Sequence, residues 1–201
     1  MIKIIDNFLE DTEDLDWLYS YFKHAGSYQF DFMPKSYVNK RKHTSEVENR
    51  LCKIIKAFCS ADLSYAAVEG YEPWVNVLDI GNDHLHHHVD CSEEEEGIVP
   101  AKFTATLYLG PSDESIKGGE LAINVNPYNE SEENTFPYDT IYDVIKSFDD
   151  DWIIIPYRYN RMIMFDSTLP HAVLPIKHIT PNESRISFMS ASWDKTIKVK
   201  K

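Results

Sequence analysis

Residues 84–90 read HLHHHVD and carry side chains that commonly bind metal ions in proteins. Successive side chains of a β-strand point to opposite faces. A strand here would therefore place His84, His86, His88 and Asp90 on one face, with the intervening side chains facing away. An imidazole and a carboxylate two residues apart on such a face can chelate one ion from the same side. Several of these residues are thus candidate ligands.

A candidate third ligand lies far along the chain at His171, in the segment FDSTLPHAVLP. Two histidines and one carboxylate form the facial ligand set of non-haem Fe(II) oxygenases, which leaves positions open for a co-substrate and oxygen. A histidine of residues 84–90 together with Asp90 and His171 would complete such a set.

Arg185 opens the segment RISFMSASW, and Ser187 would share its face on a strand. An arginine among Ile, Phe and Met is costly to bury unless it meets an anion. A guanidinium binds a carboxylate through two parallel hydrogen bonds, and a hydroxyl can assist it. This pair is therefore a candidate carboxylate site, although a structural salt bridge would explain the same residue.

The elements that must position these side chains fall into two groups. Helical spacing of apolar residues predicts one helix from Asp11 or Thr12 to about His24, and another from Thr44 or Ser45 to about Ser60, with 25–43 irregular. A short first strand is predicted at MIKII (1–5), and further short strands over 74–80, 84–90, 102–109, 120–125, 152–156, 161–166, 171–175 and 185–193. The glutamates 93–96 suggest a solvated loop, and 126–151 a polar insertion with a short helix near 139–148.

We therefore predict a single domain over 1–201, a length that suits one hydrophobic core. Its fold class is mostly β with flanking helices (α+β), arranged as a sandwich, barrel or jelly roll. Residues 1–62 form an N-terminal helical support packed on one sheet, and 63–195 form the β core that carries the candidate site.

These residues, in this order, resemble the 2-oxoglutarate- and Fe(II)-dependent oxygenases, closest to their prolyl 4-hydroxylase-like branch. The resemblance runs from about Trp74 to Trp193. It rests on His88-Val89-Asp90 as the HxD motif, on His171 as the distal histidine, and on Arg185 with Ser187 as the RxS motif. TATLYL (104–109), GGELAI (118–123) and RMIMFDSTLPHAV (161–173) resemble strands and turns that surround these motifs in the family.

The resemblance implies a double-stranded β-helix in which His88, Asp90 and His171 bind Fe(II). It implies that Arg185, assisted by Ser187, pairs with the distal carboxylate of 2-oxoglutarate. The implied activity is hydroxylation of an unactivated C–H bond by O2, coupled to decarboxylation of 2-oxoglutarate to succinate and CO2.

Tyr108 lies where some relatives place a tyrosine hydroxyl on the same carboxylate, although a core aromatic residue would explain it equally well. Thr104 and Thr106 would share its face and are weaker candidates. The strand before HxD lacks the tyrosine often found there, and Asn76 is the polar residue available instead.

The expected substrate is a peptidyl residue, such as proline, in a neutral or basic context, or a small molecule. The acidic segment 92–97 adjoins HxD and can attract a basic peptide. A net charge of -13 would repel phosphate backbones, so we expect no nucleic-acid partner. The sequence indicates no oligomeric state.

The location we expect is the cytoplasm. Cys52, Cys59 and Cys91 form no disulfide framework, and the N-terminal MIKIIDNFLEDTED lacks the apolar run of a signal peptide. No apolar run approaches the length needed to span a bilayer, so no membrane partner is expected.

Two other classes of protein remain open. In a cupin-like metal protein, His86, His88 and Glu93 would supply ligands at the HxH(x)3–4E spacing, leaving Arg185 without a role. In a non-catalytic β-domain the histidines would be surface residues that bind neither metal nor 2-oxoglutarate.

Overall fold

The structure is a computed structural model that describes residues 1–80, 85–88, 90–94, 97–113, 115–126 and 151–195, with the backbone alone for 85–88, 91–94, 97 and 98. Its helices are α1 (Glu13–Ala25), α2 (Lys35–Val38), α3 (Glu46–Ala61) and α4 (Leu63–Ala66). Its strands are β1 (Ile2–Ile5), β2 (Tyr28–Gln29), β3 (Met33–Pro34), β4 (Gly70–Leu78), β5 (Leu85–His88), β6 (Cys91–Glu94), β7 (Gly97–Pro100), β8 (Phe103–Gly110), β9 (Lys117–Gly118), β10 (Leu121–Asn124), β11 (Trp152–Ile155), β12 (Met162–Asp166), β13 (His171–Val173), β14 (Ile176–His178) and β15 (Arg185–Trp193).

Two antiparallel sheets form the body of the molecule. The larger runs in the order β1-β12-β8-β15-β4-β2, with β3 also paired to β4, and the smaller runs β11-β10-β13-β5. Small ladders β9–β14 and β6–β7 flank them. Strands distant in sequence lie side by side in both sheets, the arrangement of a double-stranded β-helix, so the predicted fold class is confirmed.

The helices pack on the outer face of the large sheet. Leu15, Leu18 and Phe22 of α1 and the buried stripe of α3 share one hydrophobic core with that sheet. The predicted cap at Ser45 is confirmed, because its hydroxyl accepts from the Glu48 amide while the Glu48 carboxylate accepts from the Ser45 amide. In the described residues, no helix is long and apolar enough to cross a membrane.

Strand β8 separates this outer core from the interior of the barrel. Ala105, Leu107 and Leu109 join the core under the helices. Thr104, Thr106 and Tyr108 alternate with them along the strand and therefore face inward. The alternation places polar side chains of the large sheet opposite the small sheet, where the candidate site lies.

The first 62 residues contribute strands as well as helices, and the short first strand predicted at MIKII is confirmed as β1. Ile2–Ile5 pairs with β12, and both β2 and β3 pair with β4, so this segment adds strands to the large sheet. The prediction that 25–43 is irregular was wrong where it contains β2, β3 and the short α2. Strands of two residues carry too little periodicity to be recognised in a sequence.

The region of the histidine cluster also differs from its prediction. We predicted one strand over 84–90, but β5 ends at His88 and Asp90 lies outside any strand. The predicted solvated loop around the glutamates was wrong in part, because Cys91–Glu94 pairs with Gly97–Pro100 as a hairpin. The side chains of 84–89 and the predicted helix near 139–148 lie outside the described residues.

Candidate functional site

A cavity of about 500 Å³ is lined by side chains from both sheets. Asp90 and His171 line it together with Arg185 and Ser187. Thr106 and Asn76, both named from the sequence, line it too. The fold thus brings residues more than 90 positions apart into one cavity.

The first pair of candidate ligands lies at the small-sheet side of the cavity. Nε2 of His171 is 3.7 Å from Oδ2 of Asp90. The Nδ1 atom of His171 is 3.1 Å from the carbonyl oxygen of Leu169, an acceptor that favours a proton on Nδ1. That tautomer leaves the lone pair of Nε2 beside Asp90, which suits a metal ligand. The ring of Phe165 packs edge-on against the imidazole, 4.8 Å between centroids.

Sheet pairing brings the third candidate to the same place. His88 of β5 is the register partner of His171 of β13, so the two backbones lie directly opposite each other. Asp90 follows the last residue of β5 by two positions and is not part of a strand. The side chains of His84, His86, His87 and His88 lie outside the part of the chain that is described.

Asp90 is held from the large sheet by a hydroxyl pair. The Thr104 hydroxyl donates to Oδ2 of Asp90, and its oxygen lies 2.8 Å from the Ser167 hydroxyl. Both Thr104 and Ser167 are buried. Since these hydroxyls fix the carboxylate, Thr104 is a positioning residue for the candidate metal site.

We expect Thr104→Val to lower the affinity for Fe(II) about 10- to 100-fold, the usual effect of removing a hydrogen bond to a metal ligand. Valine keeps the shape of threonine but cannot donate to Asp90. Competition with a colorimetric Fe(II) chelator measures the change. Thr104→Ser restores the hydroxyl and should keep most of the affinity; equal losses in both variants would contradict this role.

Arg185 is buried, with 1% of its surface exposed. Its Nε donates to the Gly119 carbonyl oxygen at 2.9 Å, and Nη1 lies 3.4 Å from the Ser187 hydroxyl. In the described ranges, no carboxylate lies within salt-bridge distance of this guanidinium. The structural salt bridge that would have explained Arg185 is therefore not found there, and the guanidinium suits an incoming carboxylate.

Two aromatic rings lie close to the guanidinium of Arg185. Its carbon lies 4.9 Å from the ring centre of Tyr108 and 5.9 Å from that of Tyr157. The Tyr108 hydroxyl is buried and lies close to Arg185 without forming a hydrogen bond of normal geometry among the described atoms. Burial raises the pKa of Tyr108, although the charge of Arg185 opposes the shift, so the hydroxyl remains a donor at neutral pH. A ligand carboxylate beside Arg185 would satisfy it.

The predicted GGEL segment explains how a backbone carbonyl reaches Arg185. Gly118 and Gly119 have φ values of +86° and +69°, a region that side-chain-bearing residues rarely adopt. A Cβ on Gly119 would lie 2.9 Å from Cδ of Arg185. Glycine is needed at 119 for both the backbone conformation and the close approach.

We expect Gly119→Ala to weaken 2-oxoglutarate binding about tenfold, because the added methyl displaces Arg185 and strains the turn. Gly26→Ala is the matched control. Gly26 has φ +81° but nothing within 4 Å of an added Cβ, so it carries the backbone cost alone. Titration of 2-oxoglutarate onto the Fe(II)-loaded protein without oxygen measures both; equal effects would contradict the Arg185 contact.

Several functional contacts were missed in the sequence. Tyr157, Ser167 and the Leu169 carbonyl were not singled out, and Thr104 was considered only for 2-oxoglutarate. Tyr157 lies in an irregular stretch after β11, where no pattern indicates its direction. Of these contacts, Ser167 could have been found in the sequence, because it lies four residues before His171 in the segment RMIMFDSTLPHAV.

Comparisons with known proteins agree with this geometry. The sequence model of the 2OG-Fe(II) oxygenase superfamily matches residues 74–192, more than half of the chain. The chain belongs to that superfamily. It is a 2-oxoglutarate-dependent dioxygenase that uses Fe(II), 2-oxoglutarate and O2. A comparison with curated protein sequences finds no significant match.

Solved structures show the same fold at low identity. A prolyl-4-hydroxylase from Pseudomonas putida has a TM-score of 0.62 and 14% identity, over 96% of this chain and 92% of that chain. The viral collagen prolyl hydroxylase of Paramecium Bursaria Chlorella virus-1, in a 2OG complex, has a TM-score of 0.53 and 21% identity over 94% of each chain. A Trichoplax adhaerens prolyl hydroxylase in complex with a hypoxia inducible factor peptide has a TM-score of 0.55 and 15% identity, over 96% of this chain and 83% of that chain.

The residues present fit both cofactors. A carboxylate oxygen and a histidine Nε2 lie close together, each side chain oriented by a further hydrogen bond, as is common for metal ligands. The buried guanidinium and the unsatisfied Tyr108 hydroxyl fit a carboxylate of 2-oxoglutarate.

Proposed function

We propose that this enzyme hydroxylates an unactivated C–H bond of a peptidyl residue, with proline as the first candidate. The observation that carries the proposal is Arg185, which is buried without a described carboxylate partner in the cavity that also contains Asp90 and His171. A buried guanidinium beside a carboxylate and an imidazole suits a dicarboxylate and a metal side by side, which supports the proposed oxygenase chemistry.

In this proposal His88, Asp90 and His171 hold the iron. Arg185 binds the distal carboxylate of 2-oxoglutarate, with Ser187 and Tyr108 as hydroxyl donors. Thr104 and the Leu169 carbonyl keep Asp90 and His171 in their binding orientation. Iron with bound 2-oxoglutarate and O2 supplies the oxidising power, and succinate and CO2 are the co-products. The protein contributes position and the exclusion of water from a cavity walled by two sheets.

A peptide substrate is supported by the structural relatives and by charge. Structures of the same fold include prolyl hydroxylases, one of them in complex with a peptide fragment. The net charge of -13 favours neutral or basic peptides.

The cytoplasmic location and the single-domain organisation stay predictions. Cys52 and Cys59 are both free thiols.

The test is a coupled measurement on the purified protein. Fe(II), 2-oxoglutarate and O2 are supplied with synthetic peptides that contain proline in neutral and basic contexts. Succinate should form in step with a peptide mass gain of one oxygen atom. Succinate formation that responds to small free amino acids and to none of the peptides would replace the peptide with a small-molecule substrate.

A further inference from the structure

A second carboxylate, Glu72, lines the same cavity but has no part in the proposed chemistry. It lies on β4 opposite Ala191 of β15, whereas Arg185 lies opposite Leu78. The two positions on β15 are six residues apart, roughly 20 Å along a strand. Glu72 therefore lies at the end of the cavity away from the 2-oxoglutarate site.

The surroundings of Glu72 offer hydrogen bonds but no positive charge. Gln29 donates from Nε2 to Oε1 of Glu72 at 2.8 Å. The Trp193 indole N–H lies close by without forming a hydrogen bond of normal geometry. Within the described residues, no Lys, Arg or His nitrogen lies within salt-bridge distance of Glu72. Gln29 therefore holds the carboxylate, but no described basic side chain neutralises its charge.

Glu72 is half-buried on the cavity wall, so its charge is partly removed from water. Burial raises its pKa, and the nearby charge of Asp90 raises it further. The raised pKa means that ionised Glu72 destabilises the fold at neutral pH, and that this penalty disappears as the pH falls below the ordinary carboxyl range. A costly charge on a cavity wall is typical of a residue kept for binding.

The charges in the cavity with Fe(II) and 2-oxoglutarate bound also favour a binding role for Glu72. The charges of Fe(II) and Arg185 balance those of Asp90 and the two carboxylates of 2-oxoglutarate, if the proposed function holds. Among the described side chains that line the cavity, Glu72 then leaves one negative charge unbalanced. A positively charged substrate group would neutralise it.

We propose that Glu72 binds a lysine or arginine side chain of the peptide that this enzyme oxidises. Tyr28, Trp74 and Trp193 line the same cavity. Aromatic side chains are suitable partners for a cation and its aliphatic stem. Gln29 holds one carboxylate oxygen and so fixes the direction of the group. The inference rests on the proposed function and specifies the class of its substrate.

The test uses a chymotryptic digest of a cell lysate as the peptide pool, because chymotrypsin leaves most lysines and arginines uncleaved. The protein is incubated with the pool, Fe(II), 2-oxoglutarate and O2, and mass spectrometry identifies peptides that gain one oxygen only when 2-oxoglutarate is present. We expect Lys and Arg to be enriched at one position relative to the oxidised residue. We expect Glu72→Gln to abolish the enrichment and to lower kcat/KM for the best basic peptide about tenfold.

Further variants separate binding from a structural role. Glu72→Lys should favour acidic residues at the same position, an inversion that mere destabilisation cannot produce. Glu72→Gln should raise Tm at neutral pH but not at low pH, whereas the exposed Glu10→Gln removes the same charge away from the cavity and should change neither Tm nor the preference.

The outcomes distinguish a wrong role for Glu72 from a wrong substrate class. Oxidised peptides without basic enrichment, or with an enrichment that Glu72→Gln retains, overturn the role of Glu72 and leave the proposed function standing. If 2-oxoglutarate binds but no peptide of the pool is oxidised, the peptide substrate is wrong and this inference falls with it.

Discussion

Arg185→Ala should weaken 2-oxoglutarate binding roughly a hundredfold, about 3 kcal/mol, while the affinity for Fe(II) stays unchanged. The guanidinium is buried, and its most favourable described contacts are a backbone carbonyl, a hydroxyl and two aromatic rings. Its removal leaves a carboxylate of the co-substrate in a partly dry cavity without a counter-charge.

The measurement is anaerobic titration of 2-oxoglutarate onto the Fe(II)-loaded protein, followed by the visible charge-transfer band of the chelate. Arg185→Lys keeps the positive charge but loses the planar fork, so its affinity should fall between those of the wild type and Arg185→Ala. Circular dichroism and Tm show whether each variant is folded. Wild-type affinity in a folded Arg185→Ala protein would contradict the assignment.

Local sequence patterns encode some elements of this fold and leave others open. The helix beginning after Ser45 and the long strand from Arg185 to Trp193 were both predictable, because each has a cap or a long apolar run. The end of β5 at His88 was not, because a strand ends where its partner stops pairing, and that partner, β13, lies more than 80 residues away. Asp90 was nevertheless recognised, since the HxD spacing does not depend on the strand continuing.

The residues that hold the candidate ligands in place or line the cavity beside them were harder to predict than the ligands themselves. Thr104 and Ser167 meet only because β8 and β12 are adjacent in the large sheet, and Glu72 faces the cavity only because β4 pairs with β15. Such relations come from strand order, which a single sequence does not display. The double glycine at 118–119 was noticed as a resemblance, but its contact with Arg185 required coordinates.

His171→Ala should abolish the charge-transfer band and reduce 2-oxoglutarate turnover to background, because a site with one histidine and one carboxylate holds Fe(II) poorly. His88→Ala and Asp90→Ala should have the same effect if all three are ligands. Iron content after gel filtration and the anaerobic band are the two measurements. A His171→Ala protein that keeps both would remove this residue from the metal site.

Alanine variants also distinguish this ligand set from the cupin-like set. In that arrangement His86 and Glu93 are ligands together with His88, so His86→Ala and Glu93→Ala would each lose iron. We expect both variants to keep iron and the band, since His171 and Asp90 face each other across 3.7 Å and are oriented by Leu169 and Thr104. Retention in these two variants, with loss in the His171, His88 and Asp90 variants, would assign the ligands residue by residue. If instead the His86 and Glu93 variants lost iron and the His171 and Asp90 variants kept it, the metal would lie away from Arg185. That result would contradict the proposed function.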